Sequence, residues 1–297
     1  MGGWIGGLAE WVEGDTGFLS VAFTWKLNEA FDRALFLKAQ GLKVRAGGPA
    51  LFLKSSKHRL EDVAEVGTDY PDAIWRHNPN ATMASRGCPV GCWFCIVPKM
   101  EGKEFKLLDN FPVRHILCDN NLSALPAKYQ DFIIERYKAE EIPLLDANSG
   151  FEPMTFTEEV YRRWEAINRG PWRFAYDETK ERPQVLRVMR MLKDVNQKKK
   201  RVYVLIGNEP FEACMGRILE TIENGCEPHV QPFIPLNSLY REPQAKFDWT
   251  VQKLKDVARW ANAWVWKKCS FVEYDRTRKN EREVYDETQG LFTFSDR

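Results

Sequence analysis

The chain has 297 residues, of which 44% are hydrophobic and 29% are charged. This composition supplies enough apolar material for one large domain and excludes disorder, collagen or a coiled coil as a description of the whole chain. The 43 basic and 42 acidic residues give a formal net charge of +1, which does not indicate a polycationic nucleic-acid-binding protein. No stretch approaches the roughly 18 apolar residues of a membrane helix, and the N-terminal residues lack a secretory signal, so we expect a soluble, cytoplasmic protein.

Residues 1–79 are predicted to form a small unit of their own. The run VAFTW at 21–25 has the composition of a strand, and residues 28–40 carry apolar side chains at helical spacing. The run LKVRAGG at 42–48 is typical of a second strand. These three elements predict a short βαβ unit, which would be a shortened Rossmann-like domain.

Six short β-prone runs follow, with centres about 30 residues apart, the length of one βα unit. They occupy residues 81–86, 113–118, 143–147, 172–176, 201–206 and 229–234, and helical patterns at 123–140, 157–168, 184–195 and 211–224 separate the later ones. The alternation predicts an α/β fold with a partial (β/α)6 barrel over residues 80–240. A further helical pattern at 250–266 predicts a C-terminal helical extension over residues 241–297.

Polar or metal-ligating residues follow the predicted strands at their C-terminal ends, where barrels of this kind place their reactive groups. Each of these residue types also begins turns or caps helices, so none is informative alone. Their occurrence after all six strands favours an active site at this end of the barrel. They are Cys88; Asp119, Asn120 and Asn121; Asn148 and Ser149; Asp177 and Glu178; Gly207, Asn208 and Glu209; and Asn237.

Three cysteines crowd into the segment SRGCPVGCWFC directly after the first of these strands. Cys88, Cys92 and Cys95 form a C-x3-C-x2-C motif, and soft thiolates of this kind favour zinc, copper or iron–sulfur centres. A structural zinc site needs four ligands, and a fourth nearby ligand is missing from the sequence. Three thiolates would hold three irons of a four-iron cluster and leave the fourth iron open. The alternative is a non-catalytic metal-binding module.

The segment RGCPVGCWFC, placed at the start of a βα barrel, resembles the radical S-adenosylmethionine superfamily, and the resemblance covers roughly residues 80–237. It implies that Cys88, Cys92 and Cys95 bind a [4Fe-4S] cluster and that S-adenosylmethionine chelates the open iron. Reductive cleavage then gives a 5′-deoxyadenosyl radical, which abstracts hydrogen from a substrate. The resemblance also implies an electron donor such as flavodoxin or ferredoxin.

The same resemblance suggests cofactor-binding roles for the strand-end residues. In the family, a Gly-Gly-Glu-like element after the second strand contacts the methionine amine. The residues at that place in this chain are different, namely Asp119, Asn120 and Asn121. Either Asp177 or Glu178, in the segment FAYDET, is expected to bind the ribose hydroxyls.

Further cofactor-binding candidates follow the third and fifth strands. The segment VYVLIGNEPFE resembles a family element in which Gly207 permits close approach of the backbone to S-adenosylmethionine, with Asn208 and Glu209 beside it. Asn148 and Ser149 end the third strand and join the same predicted group.

Cys118 is the candidate catalytic residue outside the cysteine motif. It precedes Asp119 at a predicted strand end, where its thiol would act on the substrate as a hydrogen donor or covalent acceptor. The alternative is that Cys118 is a small buried side chain, which is the usual state of a free cysteine.

The segments VPKMEG, CDNN and RFAYDE look most like the lineage of the superfamily that carries an N-terminal cobalamin domain, of which residues 21–48 resemble a remnant. The Asp-x-His-x-x-Gly motif of such domains is absent around His58, His77, His115 and His229, which predicts that cobalamin is not bound. The substrate is not identified; a small molecule or nucleotide is preferred. A nucleic acid, a peptide, and cobalamin-dependent methyl transfer stay open as alternatives.

Overall fold

The computed structural model describes residues 3–53, 59–67, 73–275 and 277. The N-terminal part forms a four-stranded sheet whose strand order follows the chain. Strand β1 pairs with β2 antiparallel, whereas the β2–β3 and β3–β4 pairs are parallel. The elements are β1 (Leu8–Glu13), β2 (Thr16–Val21), α1 (Leu27–Ala39), β3 (Lys43–Gly47) and β4 (Glu65–Val66).

The predicted βαβ unit is present as β2, α1 and β3, but the strand predicted at 21–25 is wrong. Strand β2 ends at Val21, and the β1–β2 hairpin before it was not predicted. After Val21 the chain turns away from the sheet, because Thr24 Oγ1 donates hydrogen bonds to the carbonyls of Leu236 and Ser238. The apolar residues after Val21 pack outside the sheet, where the rings of Phe23 and Trp25 stack with their centroids 4.6 Å apart.

The six predicted strands of the second part are all present. Two three-stranded parallel sheets contain them, in the orders β5-β8-β9 and β10-β11-β12, and a third pair, β6 with β7, is antiparallel. The strands are β5 (Ala81–Thr82), β6 (Ser85–Arg86), β7 (Lys106–Leu107), β8 (Ile116–Leu117), β9 (Asp146–Ala147), β10 (Trp172–Ala175), β11 (Lys200–Ile206) and β12 (Glu227–Pro232).

The first of the predicted strands, 81–86, is divided in two by a buried carboxylate. Ala84, between β5 and β6, donates its amide hydrogen to Asp119 Oδ2 at 2.9 Å instead of to a neighbouring strand. The carbonyl of Ala84 accepts from Leu108 N at 2.9 Å, so the chain leaves the parallel sheet and pairs with β7. This turn directs the following cysteine segment away from the sheet.

Helices connect most of the parallel strands, as the sequence predicts. Helix α5 begins after Thr157, whose side chain accepts from Val160 N, and α7 begins after Pro210. Helix α8 ends at Asn262, earlier than predicted, because Trp264 adopts a left-handed backbone conformation with φ of 54°. The helices are α2 (Ala73–His77), α3 (Val97–Met100), α4 (Ala127–Ala139), α5 (Glu158–Glu165), α6 (Arg182–Met191), α7 (Phe211–Glu223) and α8 (Val251–Asn262).

A seam separates β9 from β10, where two isolated parallel bridges replace a continuous ladder; they join Leu144 to Asn168 and Phe151 to Phe174. Glycines bring the backbones together here. A Cβ on Gly170 would lie 2.0 Å from the Leu145 carbonyl oxygen. The strands therefore succeed one another in chain order without forming a closed barrel among the described residues.

Two apolar cores support these sheets, and the first spans the seam, since it contains Ala147 in β9 and Phe174 in β10. The first gathers around the fully buried Trp164 and the second around Trp260. Along β11, Val202, Val204 and Ile206 are buried and the residues between them are half-buried, as expected for a strand that packs helices against one face only. None of the described helices is long and apolar enough to cross a membrane.

Candidate functional site

The cysteine segment forms a loop between β6 and α3 that is closed at its base by one carboxylate, Glu101. Its Oε1 accepts from Arg86 Nε at 2.8 Å, and its Oε2 accepts from Gly87 N at 2.8 Å and from Asn120 Nδ2 at 2.7 Å. The side chain of Glu101 is only 6% exposed. The sequence analysis missed this residue, because no local pattern distinguishes Glu101 from the exposed Glu104.

Gly87, directly before the first cysteine, has a backbone conformation that only glycine adopts without strain. Its φ is 88°, and a Cβ there would lie 2.2 Å from the Glu104 carbonyl oxygen. Cys88 N then donates to the Gly102 carbonyl at 3.3 Å. The two ends of the loop are thus held side by side.

The three thiols are half-buried and lie within one another's electrostatic influence. Burial, and next the neighbouring Cys95, raise the pKa of Cys92 to about 12. Burial also raises the pKa of Cys95, although its sulfur accepts a hydrogen bond of 3.4 Å from Val97 N. Among the described residues, no three Cys, His, Asp or Glu side chains converge closely enough to hold a metal ion. The metal-binding role of Cys88, Cys92 and Cys95 therefore stays a prediction.

Asp119 is fully buried, and both of its carboxylate oxygens are occupied. Oδ2 accepts from Ala84 N, and Oδ1 accepts from Ser85 Oγ at 2.5 Å. Burial raises its pKa to about 6. Asp119 thus supports the start of the cysteine loop from below, and its predicted contact with the methionine amine stays untested.

Asn120 and Asn121 both contact the cysteine loop. Besides Glu101, Asn120 Nδ2 reaches the Gly87 carbonyl at 3.3 Å. Asn121 Nδ2 lies 3.9 Å from Cys88 Sγ, and its Oδ1 accepts from Ala124 N at 3.1 Å. The structure therefore brings together the end of β8 and the cysteine loop, two segments that the sequence analysis assigned to one site.

An acidic group, consisting of Glu152, Asp177 and Glu181, lies close to Cys92. Burial, and next Glu181, raise the pKa of Asp177 to about 7. Burial likewise raises the pKa values of Glu152 and Glu181, and Glu152 and Asp177 both act on the pKa of Cys92. The sequence analysis missed Glu152 and Glu181. The signal for them is weak, since both follow the strand ends by several residues.

Asp177 and Glu178, the two candidates for the ribose contact, have different surroundings. Asp177 Oδ1 accepts from Leu205 N at 3.2 Å. Glu178 begins the turn that follows β10, forms a capping box with Glu181 and pairs with Lys180 at 2.6 Å. Glu178 is thus paired directly with a cation, whereas the Asp177 carboxylate accepts from the uncharged Leu205 amide and Arg217 only partly offsets the rise of its pKa.

The residues after β11 form hydrogen bonds with the residues that follow β10. Asn208 Nδ2 donates to the Asp177 carbonyl at 2.7 Å. Glu209 pairs with the buried Arg217 at 3.1 Å and accepts from Thr179 N. Gly207 has φ of 87°, which allows the tight turn between these contacts.

Asn148, Ser149 and Cys118 complete the predicted set. Asn148 is half-buried, with its Nδ2 3.5 Å from Asp146 Oδ2, and Ser149 is exposed. Cys118 is 8% exposed, and burial raises its pKa to about 12. Its thiol is therefore protonated at neutral pH, the form that a hydrogen donor requires.

A cavity of about 1050 Å³ lies between the N-terminal sheet and these strand ends. Cys118, Asn120 and Asn148 line one side of it, and aromatic residues of the N-terminal part, such as Trp11 and Phe18, line the other. The sequence analysis did not predict this cavity, because Trp11 and Phe18 on one side are about 100 residues from Cys118 on the other.

No family model matches the sequence, and no curated protein matches it. The fold is similar to that of a solved radical S-adenosylmethionine methyltransferase. That protein is TsrM from Kitasatospora setae, solved with cobalamin and a [4Fe-4S] cluster bound, and the TM-score is 0.51 at 11% sequence identity. The match covers 76% of this chain and 66% of that one, so the chain spans just under two thirds of the length of TsrM. At this identity the likeness concerns the fold alone.

Proposed function

We propose that the protein is a radical S-adenosylmethionine enzyme, and that its two parallel sheets are the halves of a partial (β/α)6 barrel. One observation carries the proposal. The loop with Cys88, Cys92 and Cys95 is fixed through Glu101 to the C-terminal end of a parallel strand, where this fold places reactive groups. The likeness of the fold to a radical S-adenosylmethionine methyltransferase supports it.

The donor set fits an iron–sulfur cluster. The three thiols share one loop, are half-buried and are soft ligands, and the cationic irons would favour the thiolate forms that burial now disfavours. When bound, the cluster supplies the electron for reductive cleavage of S-adenosylmethionine. Cys88, Cys92 and Cys95 would hold it.

The acidic group defined above would bind the positively charged part of S-adenosylmethionine, which assigns Asp177 to that charge in place of the ribose contact expected from the sequence. Glu152, Asp177 and Glu181 have raised pKa values because they are buried together without enough compensating positive charge. A sulfonium and an ammonium group would supply that charge. Trp93 and Phe233, with ring centroids 5.2 Å apart, would limit the access of water from the side of the loop.

Cobalamin is not part of this proposal. His77 is the one histidine among the described residues that lines the cavity, and its Nε2 lies 3.0 Å from Ser20 Oγ in a buried hydrogen bond. The side chain is thus already engaged within the N-terminal part. Stoichiometric retention of cobalamin by the purified protein would instead favour the cobalamin-dependent methyltransferase alternative.

The decisive experiment is anaerobic reconstitution with iron and sulfide, followed by reduction, addition of S-adenosylmethionine and chromatographic detection of 5′-deoxyadenosine. Cys92→Ala should abolish the product, whereas Cys269→Ala, a half-buried cysteine outside the loop, should not. The proposal fails if a well-formed cluster neither changes its spectrum with S-adenosylmethionine nor yields 5′-deoxyadenosine. That outcome, with zinc held by four ligands, would favour a non-catalytic metal-binding module.

A further inference from the structure

The cavity between the N-terminal sheet and the strand ends has walls of two different chemical characters. The N-terminal part contributes a predominantly apolar wall in which several side chains are aromatic, among them Trp11, Phe18 and Phe23. Phe23 is 45% exposed, so the cavity opens to solvent beside it. Its volume of about 1050 Å³ is at the upper end of the range for small-molecule sites.

The opposite wall is polar and belongs to the proposed catalytic end of the fold. Cys118 and Asn120 end β8, and Asn148 follows β9. Asn120 also contacts the cysteine loop through Gly87 and Glu101. A molecule in the cavity would therefore have one end among aromatic rings and the other end beside the cysteine loop.

The charged side chains that line the cavity within the described part of the chain are already paired. Arg45 bonds to Glu65 at 2.9 Å, and Arg86 bonds to Glu101 at 2.8 Å. An anionic ligand would be buried against the electron-rich faces of aromatic rings without a counter-ion, which is strongly unfavourable. A cationic ligand would meet no unpaired carboxylate among the described lining residues, so it too would lose hydration without full compensation. An uncharged ligand avoids this desolvation penalty.

We propose that this cavity is the substrate site, and that the substrate is an uncharged, mainly apolar molecule with a flat ring system. Aromatic side chains pack well against flat rings, and the side-chain oxygen of Asn120 and the amide of Asn148 would supply hydrogen-bonding groups for one polar group at the reacting end. The assignment of the cavity as a substrate site rests on the proposed function. The binding chemistry itself does not require a cluster or S-adenosylmethionine.

The test uses the reduced, metal-free full-length chain and two fluorescent probes with similar ring systems, neutral phenylnaphthylamine and anionic anilinonaphthalenesulfonate. We expect one saturable site that binds the neutral probe about tenfold more tightly than the anionic probe. Ala22→Trp and Leu108→Trp place bulk at two positions that line the cavity, and each should weaken neutral-probe binding about tenfold. Ala127→Trp, at the exposed start of α4, is the matched control and should bind as the wild type does. Circular dichroism verifies that each variant folds.

The proposal is overturned if the anionic probe binds as tightly as the neutral one, or if both cavity-filling variants that fold retain wild-type binding. It is also overturned if hydroxocobalamin binds stoichiometrically and displaces the neutral probe, because the cavity would then be a cofactor site. Formation of 5′-deoxyadenosine is measured separately. If that product is absent while the probe results hold, the proposed function fails and the uncharged, ring-binding character of the cavity stands.

Discussion

Asn120 Nδ2 donates a hydrogen bond of 2.7 Å to Glu101 Oε2, and this contact ties the end of β8 to the far end of the cysteine loop. The same carboxylate oxygen accepts from Gly87 N, directly before the first cysteine. All three cysteines therefore lie between two points that are fixed on a single side chain. The geometry of the loop depends on a residue that would not itself bind metal.

Glu101→Gln is expected to impair assembly of the cluster. The glutamine amide would face two hydrogen-bond donors and would lose the ionic contact with Arg86, at a cost of about 1–3 kcal/mol to the fold of the loop. Iron and sulfide per chain after reconstitution should fall to less than about half of the wild-type values, given this cost. Glu104→Gln, at an exposed position shortly after α3, is the control. Wild-type iron content in Glu101→Gln would refute the role of Glu101.

Asp119→Asn is expected to flatten the dependence of stability on pH. The pKa of Asp119 is raised from 3.8 to about 6 in the folded protein, so the folded state binds this proton more tightly than the unfolded state does. The stabilisation from the proton is complete below pH of about 4 and is lost as the pH rises through 6. Between these limits the wild type should lose up to about 3 kcal/mol more unfolding free energy than the variant. Urea denaturation at both limits measures this difference, and equal losses would contradict it.

Asp177→Asn is expected to weaken binding of S-adenosylmethionine about tenfold, since one buried negative charge would be lost from the acidic group. Glu178→Gln should change the affinity much less, because Glu178 is paired with Lys180. Spectroscopic titration of the reconstituted protein measures both affinities. Unchanged affinity in Asp177→Asn would remove Asp177 from the binding site, and the opposite ranking would select Glu178.

Gly170→Ala is expected to destabilise the protein by about 2 kcal/mol or more, because the added methyl group would collide with the backbone at Leu145. Gly216→Ala is a matched control within α7, where a Cβ meets no atom within 4 Å. That change should stabilise the protein by up to about 1 kcal/mol, since alanine favours the helix. Thermal unfolding compares the two. Equal effects would show that the seam is not closely packed.

Cys118 is expected to resist alkylation by iodoacetamide in the folded protein. Burial raises its pKa to about 12, and the thiolate is the reactive form. Its peptide should be modified about a hundredfold more slowly than that of the half-buried Cys269, as measured by mass spectrometry at pH of about 8. Comparable rates would mean that the cavity wall opens enough for Cys118 to ionise and to react with iodoacetamide.

The regular elements were predictable because their signals are local. The pattern at 211–224 corresponds to α7 within one residue at its C-terminal end, and the run at 201–206 to β11 within one residue at its N-terminal end. The failure at 21–25 has a local cause too. Strand and turn there share one apolar composition, and the turn is selected by contacts with Leu236 and Ser238, far along the chain.

The sequence pointed to candidate residues in the cysteine motif and at the strand ends, and their roles stay predictions, but it did not point to the carboxylates that support them. Glu101 and Glu152 acquire their importance from contacts with segments distant in the sequence, and nothing in the adjacent residues marks them. The division of 81–86 into two strands has the same origin, since it depends on Asp119. Glu181 differs, since its contacts are with Asp177 and Glu178 in the same turn. Spacing identified the groups that carry the proposed chemistry, whereas the groups that hold them in place required the fold.

The seam between β9 and β10 also shows how two sheets can be joined without a continuous ladder. The backbone there forms two isolated bridges, against six residue pairs between β11 and β12. Side chains cross the seam as well, since the ring centroids of Phe151 and Trp172 lie 5.2 Å apart and Arg173 pairs with Asp146 at 2.7 Å. The alignment of the two sheets therefore depends on which side chains meet at the seam more than on backbone pairing.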